Sequence, residues 1–303
     1  PGDTIVNDFR VAAVQMNAGF GRNAENLGGH EGYITRAAEA GARLVVFPEQ
    51  SISGHWAEPG FNKAAEAVPG GPSTQRLIQL CRQHGLYAGA GLAELSGGAV
   101  YNSYLLVGPD GFVGLQRKVH PSGDEYFYYR AGASFEVFDL PFCRLGVNIC
   151  ADTGYPESAR VAALKGAEVL LCPHAARCGP APENLQAERQ RVRRRKDRAG
   201  KFGSVRAADN GLFLVDCNQV GVAGQVEVAS GFTGTRDVVH AGGCLIFKPD
   251  GELLAESKTD RFEPEMVVAD LRADDLARVR GRKCFSLTTR RPGAYGIIAD
   301  PRW

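Results

Sequence analysis

Short apolar runs alternate with longer amphipathic stretches along this chain, and the two periods predict different elements. Val11-Ala12-Ala13-Val14-Gln15 reads as a strand, and residues 23–42 read as a helix with Asn23 as its cap. Arg43-Leu44-Val45-Val46-Phe47 is apolar after its first residue, as in a strand covered on both faces. Leu77, Ile78 and Leu80 form the apolar side of a helix capped by Ser73, and residues 86–92 follow as a strand. Tyr104-Leu105-Leu106-Val107 and Phe112-Val113-Gly114-Leu115 flank Gly108-Pro109-Asp110-Gly111, a hairpin turn by composition. Further on, residues 145–149 read as a strand ending at Cys150, 157–165 as a helix, 169–172 as a strand, 183–208 as a helix and 212–215 as a strand. A second hairpin pairs 244–247 with 253–255 around Pro249-Asp250-Gly251, and its turn echoes the first. Strands alternating with helices and interrupted by hairpins predict an α/β layered protein with mixed sheets. No linker stands out, so residues 1–303 read as one domain.

Composition narrows the function classes. A chain of 303 residues with 44% hydrophobic and 23% charged residues has ordinary globular make-up and buries a sizeable core. A net charge of +1 gives no general pull toward nucleic acid, anionic membrane or an acidic partner. The basic run Arg189 to Arg198 is interrupted by Asp197 and preceded by Glu188, so it reads as a solvated helix face or a subunit contact. No stretch approaches the ~20 apolar residues of a membrane helix, and the first residues lack the pattern of a secretory leader, so a cytoplasmic setting is expected. The eight cysteines form no CxxC pair. Their spacing fits neither a zinc site nor a small disulfide scaffold, and Cys172 with Cys178 lack third and fourth ligands at suitable spacing. Most therefore read as reduced, buried small hydrophobes, and no metal or organic cofactor is expected.

Three ionisable residues break this bland picture. Glu49 in Phe47-Pro48-Glu49-Gln50 directly follows an apolar strand, Lys118 follows the first hairpin, and Cys150 ends another apolar strand. Chemistry in layered α/β folds collects at the carboxyl ends of strands. A thiol with a pKa near ~8.5 is mostly protonated at neutral pH. A carboxylate can take its proton, and an ammonium can hold the oxyanion that forms when sulfur attacks an amide carbonyl. The protonated carboxyl then returns the proton to the leaving amine.

At these residues the sequence resembles the nitrilase, or carbon–nitrogen hydrolase, superfamily, over nearly the whole chain from Val11 to Gly296. The matching motifs are Val46-Phe47-Pro48-Glu49, Arg117-Lys118-Val119-His120 and Gly146-Val147-Asn148-Ile149-Cys150-Ala151-Asp152 with Tyr155-Pro156-Glu157. The resemblance implies Glu49 as general base, Lys118 as oxyanion stabiliser, Cys150 as nucleophile and the backbone N–H of Ala151 as second oxyanion donor. It also implies Glu125, in Gly123-Asp124-Glu125-Tyr126-Phe127, as a second glutamate. The implied fold is a four-layer α-β-β-α sandwich with two mixed sheets, and pairing of such sandwiches implies a homodimer or larger homo-oligomer.

Around this core, His120, Trp56, Phe127 and His174 are candidate substrate contacts from their positions beside the motifs, with local packing or hydrogen bonding as the plainer reading of each. For Asp152, capping the following turn is preferred over a substrate contact. Ala151-Asp152 after the cysteine resembles the amidase and carbamoylase branches rather than true nitrilases, which usually follow it with Trp-Glu. Residues 174–208 and the ending Arg291-Pro292-Gly293-Ala294-Tyr295-Gly296 resemble N-carbamoyl-D-amino acid amidohydrolases. That group carries arginines just after Cys-x-Asp, where this chain has Thr153 and Gly154, so a carboxylate clamp is not expected at that spot. The leading expectation is a thiol amidohydrolase releasing ammonia from a small amide. An N-carbamoyl amidohydrolase, a nitrilase and a non-catalytic scaffold on the same fold are the alternatives.

Overall fold

The computed structural model describes residues 6–227, 234–300 and 302. In the first half, β1 (Phe9–Gln15), α1 (Asn23–Glu39), β2 (Leu44–Val46), α2 (Pro72–His84), β3 (Tyr87–Ser96), β4 (Ala99–Gly108) and β5 (Gly111–Arg117) follow one another. A short helix α3 (Glu125–Tyr128) leads to β6 (Val137–Leu140), β7 (Cys143–Val147), α4 (Pro156–Leu164), β8 (Val169–His174), the long α5 (Leu185–Asn210) and β9 (Phe213–Asn218). A two-stranded ribbon, β10 (Val220–Glu227) with β11 (Thr235–Ala241), precedes β12 (Cys244–Phe247), β13 (Leu253–Glu256), β14 (Glu265–Leu271), α6 (Ala273–Arg280) and α7 (Ser286–Thr289).

The strands form two six-stranded mixed sheets, β14-β1-β2-β3-β4-β5 and β13-β12-β9-β8-β7-β6. Each has three parallel strands at its centre, a hairpin added antiparallel on one side and a single antiparallel strand on the other. The two expected hairpins are the equivalent elements of the two sheets, which explains why their turns echo each other.

Residue alternation builds the layers. Val11 and Ala13 of β1, Tyr104 and Leu106 of β4, Leu171 of β8 and Phe213 and Val215 of β9 share the core between the sheets. Their neighbours Ala12, Val14, Leu105 and Val107 pack instead with Ile34 of α1 and Leu77 and Leu80 of α2. Leu170, Cys172, Leu214 and Leu245 pack with Ala159 and Ala162 of α4 and Ala199 and Ala207 of α5. A strand with period 2 that is apolar at every position must be covered on both faces, and the result is the four-layer α-β-β-α order.

Helix ends differ from the sequence reading in two places. The cap of α1 is Arg22 and that of α2 is Gly71, with Pro72 at the first helical position, so neither Asn23 nor Ser73 is the cap. Both side chains instead reach Glu66: Asn23 Nδ2 donates to Glu66 Oε1 at 2.7 Å and Ser73 Oγ to the same oxygen at 2.7 Å. Glu66 Oε2 also accepts from the Ser73 N–H at 2.9 Å, so a carboxylate from outside the helix satisfies its first turn. Helix α5 has Asn184 as its cap, accepting from the Ala187 N–H at 3.0 Å, and ends on Gly211 in the left-handed region at φ 56°. The ribbon β10–β11 and strand β14 carry no signal picked out above; β14 returns from the far end of the chain to pair antiparallel with β1.

Candidate active site

Glu49, Lys118 and Cys150 come from different strand ends and meet in one place. Glu49 lies three residues past the end of β2 and is fully buried. The next residue, Gln50, has φ 45°, a left-handed conformation that costs a non-glycine residue about 1–2 kcal/mol. The turn is held in place by its neighbours. Gln219 Nε2 donates to the Glu49 carbonyl at 2.7 Å, and Tyr104 Oη to the Phe47 carbonyl at 2.8 Å. Gly91 of β3 lies so close that a Cβ there would fall 2.1 Å from the Gln50 nitrogen. Only glycine lets the turn press against the sheet.

Lys118 is 1% exposed and sits immediately past β5. Its Nζ donates to Glu49 Oε1 at 2.8 Å and to Glu125 Oε2 at 2.6 Å. Asn102 of β4 donates one Nδ2 to Glu49 Oε1 and Glu125 Oε1, each at 2.7 Å. The second oxygen of Glu49 accepts from the Ala175 N–H at 2.7 Å, just past β8. Glu125 Oε2 also accepts from the Ser122 N–H at 2.8 Å, and Glu125 Oε1 lies 3.2 Å from His55 Nε2. Every carboxylate oxygen thus has a partner, which a buried charge requires. Burial opposes the charged form of Glu49, but Lys118 and then His55 outweigh it and hold the carboxyl below the ordinary range. Burial likewise opposes ionisation of Glu125; the His55 hydrogen bond and the Lys118 charge overcome it. For Lys118, burial works against the ammonium, and the surrounding Glu49, Cys150 and Glu125 raise it well above the lysine range.

Cys150 opens a turn of 3₁₀ helix, Cys150–Gly154, three residues past the end of β7, and has φ 50°. A nucleophile on such a bend projects away from the strand while the sheet fixes its base. Burial raises the thiol pKa, Glu49 raises it further and Lys118 pulls the other way, so the thiol is protonated at neutral pH. Asp152, fully buried, ties this turn to the lysine loop. It accepts from the Ile149 N–H at 3.2 Å, from the His120 N–H at 2.9 Å and from His120 Nδ1 at 2.7 Å. The preferred turn-capping reading of Asp152 holds in part: it bonds within its own turn and also clamps a second loop.

Two cavities, of about 710 and 220 Å³, meet at Cys150, Ser122, Ala176 and Arg177. Ala151 and His174 line the larger one, and His174 Nε2 lies 2.9 Å from Asp216 Oδ2. The other candidate contacts fall elsewhere. Phe127 is 83% exposed and lines neither cavity, because it lies on the outer side of α3 while Glu125 faces in. Trp56 stacks on Phe20 at 6.1 Å and lines neither cavity. His120 stacks on Tyr155 at 3.8 Å and serves Asp152 rather than the cavity. Sequence reading passed over His55 and Asn102, and nothing local marks either as part of a buried cluster. Part of the basic run is also placed differently: Arg191, Arg194, Arg195 and Arg198 wall the larger cavity. Glu49, His55 and Glu125 offer ligand atoms within 4.8 Å of one another, a spacing that could hold a metal ion. Here the Lys118 ammonium already bridges the two carboxylates, so the cluster contains its own cation.

A buried carboxylate–ammonium–carboxylate cluster beside a protonated thiol, facing a cavity, is the equipment for nucleophilic attack on a carbonyl or nitrile carbon. Comparison with known proteins agrees in class. The family model for carbon-nitrogen hydrolases matches residues 10–281. A nitrilase of Pyrococcus abyssi is 34% identical over 92% of this chain and 94% of its own length. A citrullinase of Francisella tularensis is 29% identical over 96% of this chain and 98% of its own. The crystal structure of a carbon-nitrogen hydrolase from Helicobacter pylori superposes with a TM-score of 0.82 at 25% identity, covering 97% of this chain and 99% of that one. The chain belongs to the carbon-nitrogen hydrolase family.

Proposed function

We propose that the chain is a thiol amidohydrolase that cleaves the C–N bond of a small amide through an acyl-enzyme on Cys150. The observation that carries this reading is the convergence of Glu49 and Lys118 on Cys150, which itself lines a cavity large enough for a small molecule. The ionised Glu49 and the protonated Cys150 differ widely in proton affinity, so the proton moves as the C–S bond forms rather than before it. Negative charge then grows on the carbonyl oxygen. An ammonium has three donors, and Lys118 uses two on Glu49 and Glu125, which leaves one for the oxyanion beside the Ala151 N–H. Protonated Glu49 returns its proton to the nitrogen, ammonia leaves and a thioester remains. Glu49 then takes a proton from water, which attacks the thioester, releases the acid and restores the thiol. Glu125 acts as a positioning residue by fixing the ammonium.

A second reading, cleavage of an N-carbamoyl or ureido compound, draws support from the relative named citrullinase. The nitrile reading draws on the relative named nitrilase, while Ala151-Asp152 after the cysteine speaks for the amidase branch. An assay of ammonia and carbon dioxide over amides, N-carbamoyl amino acids and nitriles separates them. Ammonia alone from amides supports the first reading. Equimolar carbon dioxide, or turnover confined to nitriles, would replace it. We further infer a homodimer or larger oligomer, supported by exposed apolar Val161 and Leu164 on α4 and Phe202 and Val205 on α5. Among the described residues no helix is long and apolar enough to cross a membrane.

A further inference from the structure

The larger cavity has a composition that amide cleavage by itself does not require. Its wall includes five arginines, Arg177, Arg191, Arg194, Arg195 and Arg198, against one carboxylate, Asp216. That carboxylate is already committed: it accepts from Arg195 Nη2 at 2.7 Å and lies 2.9 Å from His174. Arg191 donates to the Pro180 carbonyl. On the other side of α5, Arg189 pairs with Asp260 and Arg193 contacts Asp197. Arg177, Arg194 and Arg198 have no carboxylate at ion-pair distance among the described residues, and the Arg177 Nε is buried without a hydrogen-bond partner. Arg191, Arg194, Arg195 and Arg198 are spaced three and four apart, which puts them on one helix face, and that face lines the same cavity as Cys150. Five guanidinium groups around one cavity against a single, already paired carboxylate, with the Arg177 Nε buried and unpartnered, make that cavity strongly positive and suited to an anionic ligand.

We propose that the preferred substrate carries a carboxylate remote from its scissile amide, and that Arg177, Arg194 and Arg198 hold it while the amide carbonyl lies on Cys150. This rests on the amidohydrolase reading and names its substrate class. The grip comes from α5 and the loop after β8, so Thr153 and Gly154 need not supply it. The same charge repels a substrate with a free ammonium group.

Three amides of the same chain length test this with the enzyme: succinamate (anionic), butyramide (neutral) and β-alaninamide (cationic). The expected order of kcat/KM is succinamate, butyramide, β-alaninamide. Each step should be roughly tenfold or more, the worth of one charge-assisted hydrogen bond. The advantage of succinamate should shrink as salt is added. Arg194→Gln and Arg198→Gln change exposed side chains and leave the fold intact, and with Arg177→Gln each should lower the succinamate-to-butyramide ratio several-fold. Equal turnover of succinamate and butyramide, or a ratio unmoved in all three variants, would overturn the substrate class and leave the amidohydrolase reading standing. Ammonia from none of the three amides would overturn both.

Discussion

Replacing Lys118 by Met tests whether the buried cluster is held by one ammonium. Methionine has nearly the same length and no charge, so packing changes little while two contacts, at 2.8 and 2.6 Å, disappear. Glu49 and Glu125 are left buried with only Asn102, His55, the Ser122 hydroxyl and backbone N–H groups around them. Removing one partner of a buried ion pair costs about 3–5 kcal/mol, because the remaining charge is stranded. Two like charges bridged by one amide nitrogen cannot both stay ionised, so one carboxyl rises above its unfolded pKa and binds a proton. The sign of the pH dependence follows. In the parent chain both carboxyls lie below the ordinary value of 4.5, so their stabilisation is complete above that pH and is lost only as pH falls further. In the variant the folded state binds the extra proton, so stability falls as pH rises from 4.5 through the raised pKa. Urea unfolding at about pH 8 should therefore show the full loss, with a melting temperature lower by roughly 6–10 °C, and a smaller loss at about pH 5. A loss below ~1 kcal/mol at about pH 8, or an equal loss at both pH values, would refute the reasoning.

Three further outcomes follow. Glu49→Gln should bind substrate yet release ammonia at least ~1,000-fold more slowly, because proton transfer and the lysine contact are lost together; a drop under tenfold removes Glu49 as the base. Asp152→Asn places an amide among donors from Ile149 and His120 and should cost about 2 kcal/mol in stability with a fall in kcat, measured by thermal melts and steady-state kinetics; a kcat at the parent value would detach this clamp from the chemistry. Burial lowers the His30 pKa from 6.5 to about 4, so the neutral ring stabilises the fold fully above pH 6.5 and progressively less down to about pH 4, by ~3 kcal/mol in all. A His30→Gln variant should show a flatter stability profile across that window in urea titrations, and an unchanged slope would assign the acid sensitivity elsewhere.

The layered architecture was legible because its strands are apolar at consecutive positions, as with Leu44-Val45-Val46, and its hairpin turns are marked by Pro-Asp-Gly. The ribbon β10–β11 was missed because glycine and polar residues blur its alternation, and β14 because pairing with β1 is a contact across more than 250 residues. The convergence of Glu49, Lys118 and Cys150 could be anticipated from strand-end position and motif order. His55 and Asn102 could not, since neither carries a local signal and both matter only through the carboxylates they touch. Phe127 shows the converse, a residue beside a motif whose helix turns it to solvent. Arg189 to Arg198 read as a solvated helix face or a subunit contact because helical spacing shows which residues share a side, and only the tertiary structure shows that four of these arginines also line a cavity with Cys150.

Covalent chemistry at Cys150 is tested by mass spectrometry of the enzyme quenched during turnover of a slow amide. The peptide containing Cys150 should carry an added mass equal to the acyl group, and a folded Cys150→Ala variant should give neither adduct nor ammonia. Ammonia release by that variant at the parent rate, or an acyl adduct on any other residue, would contradict it.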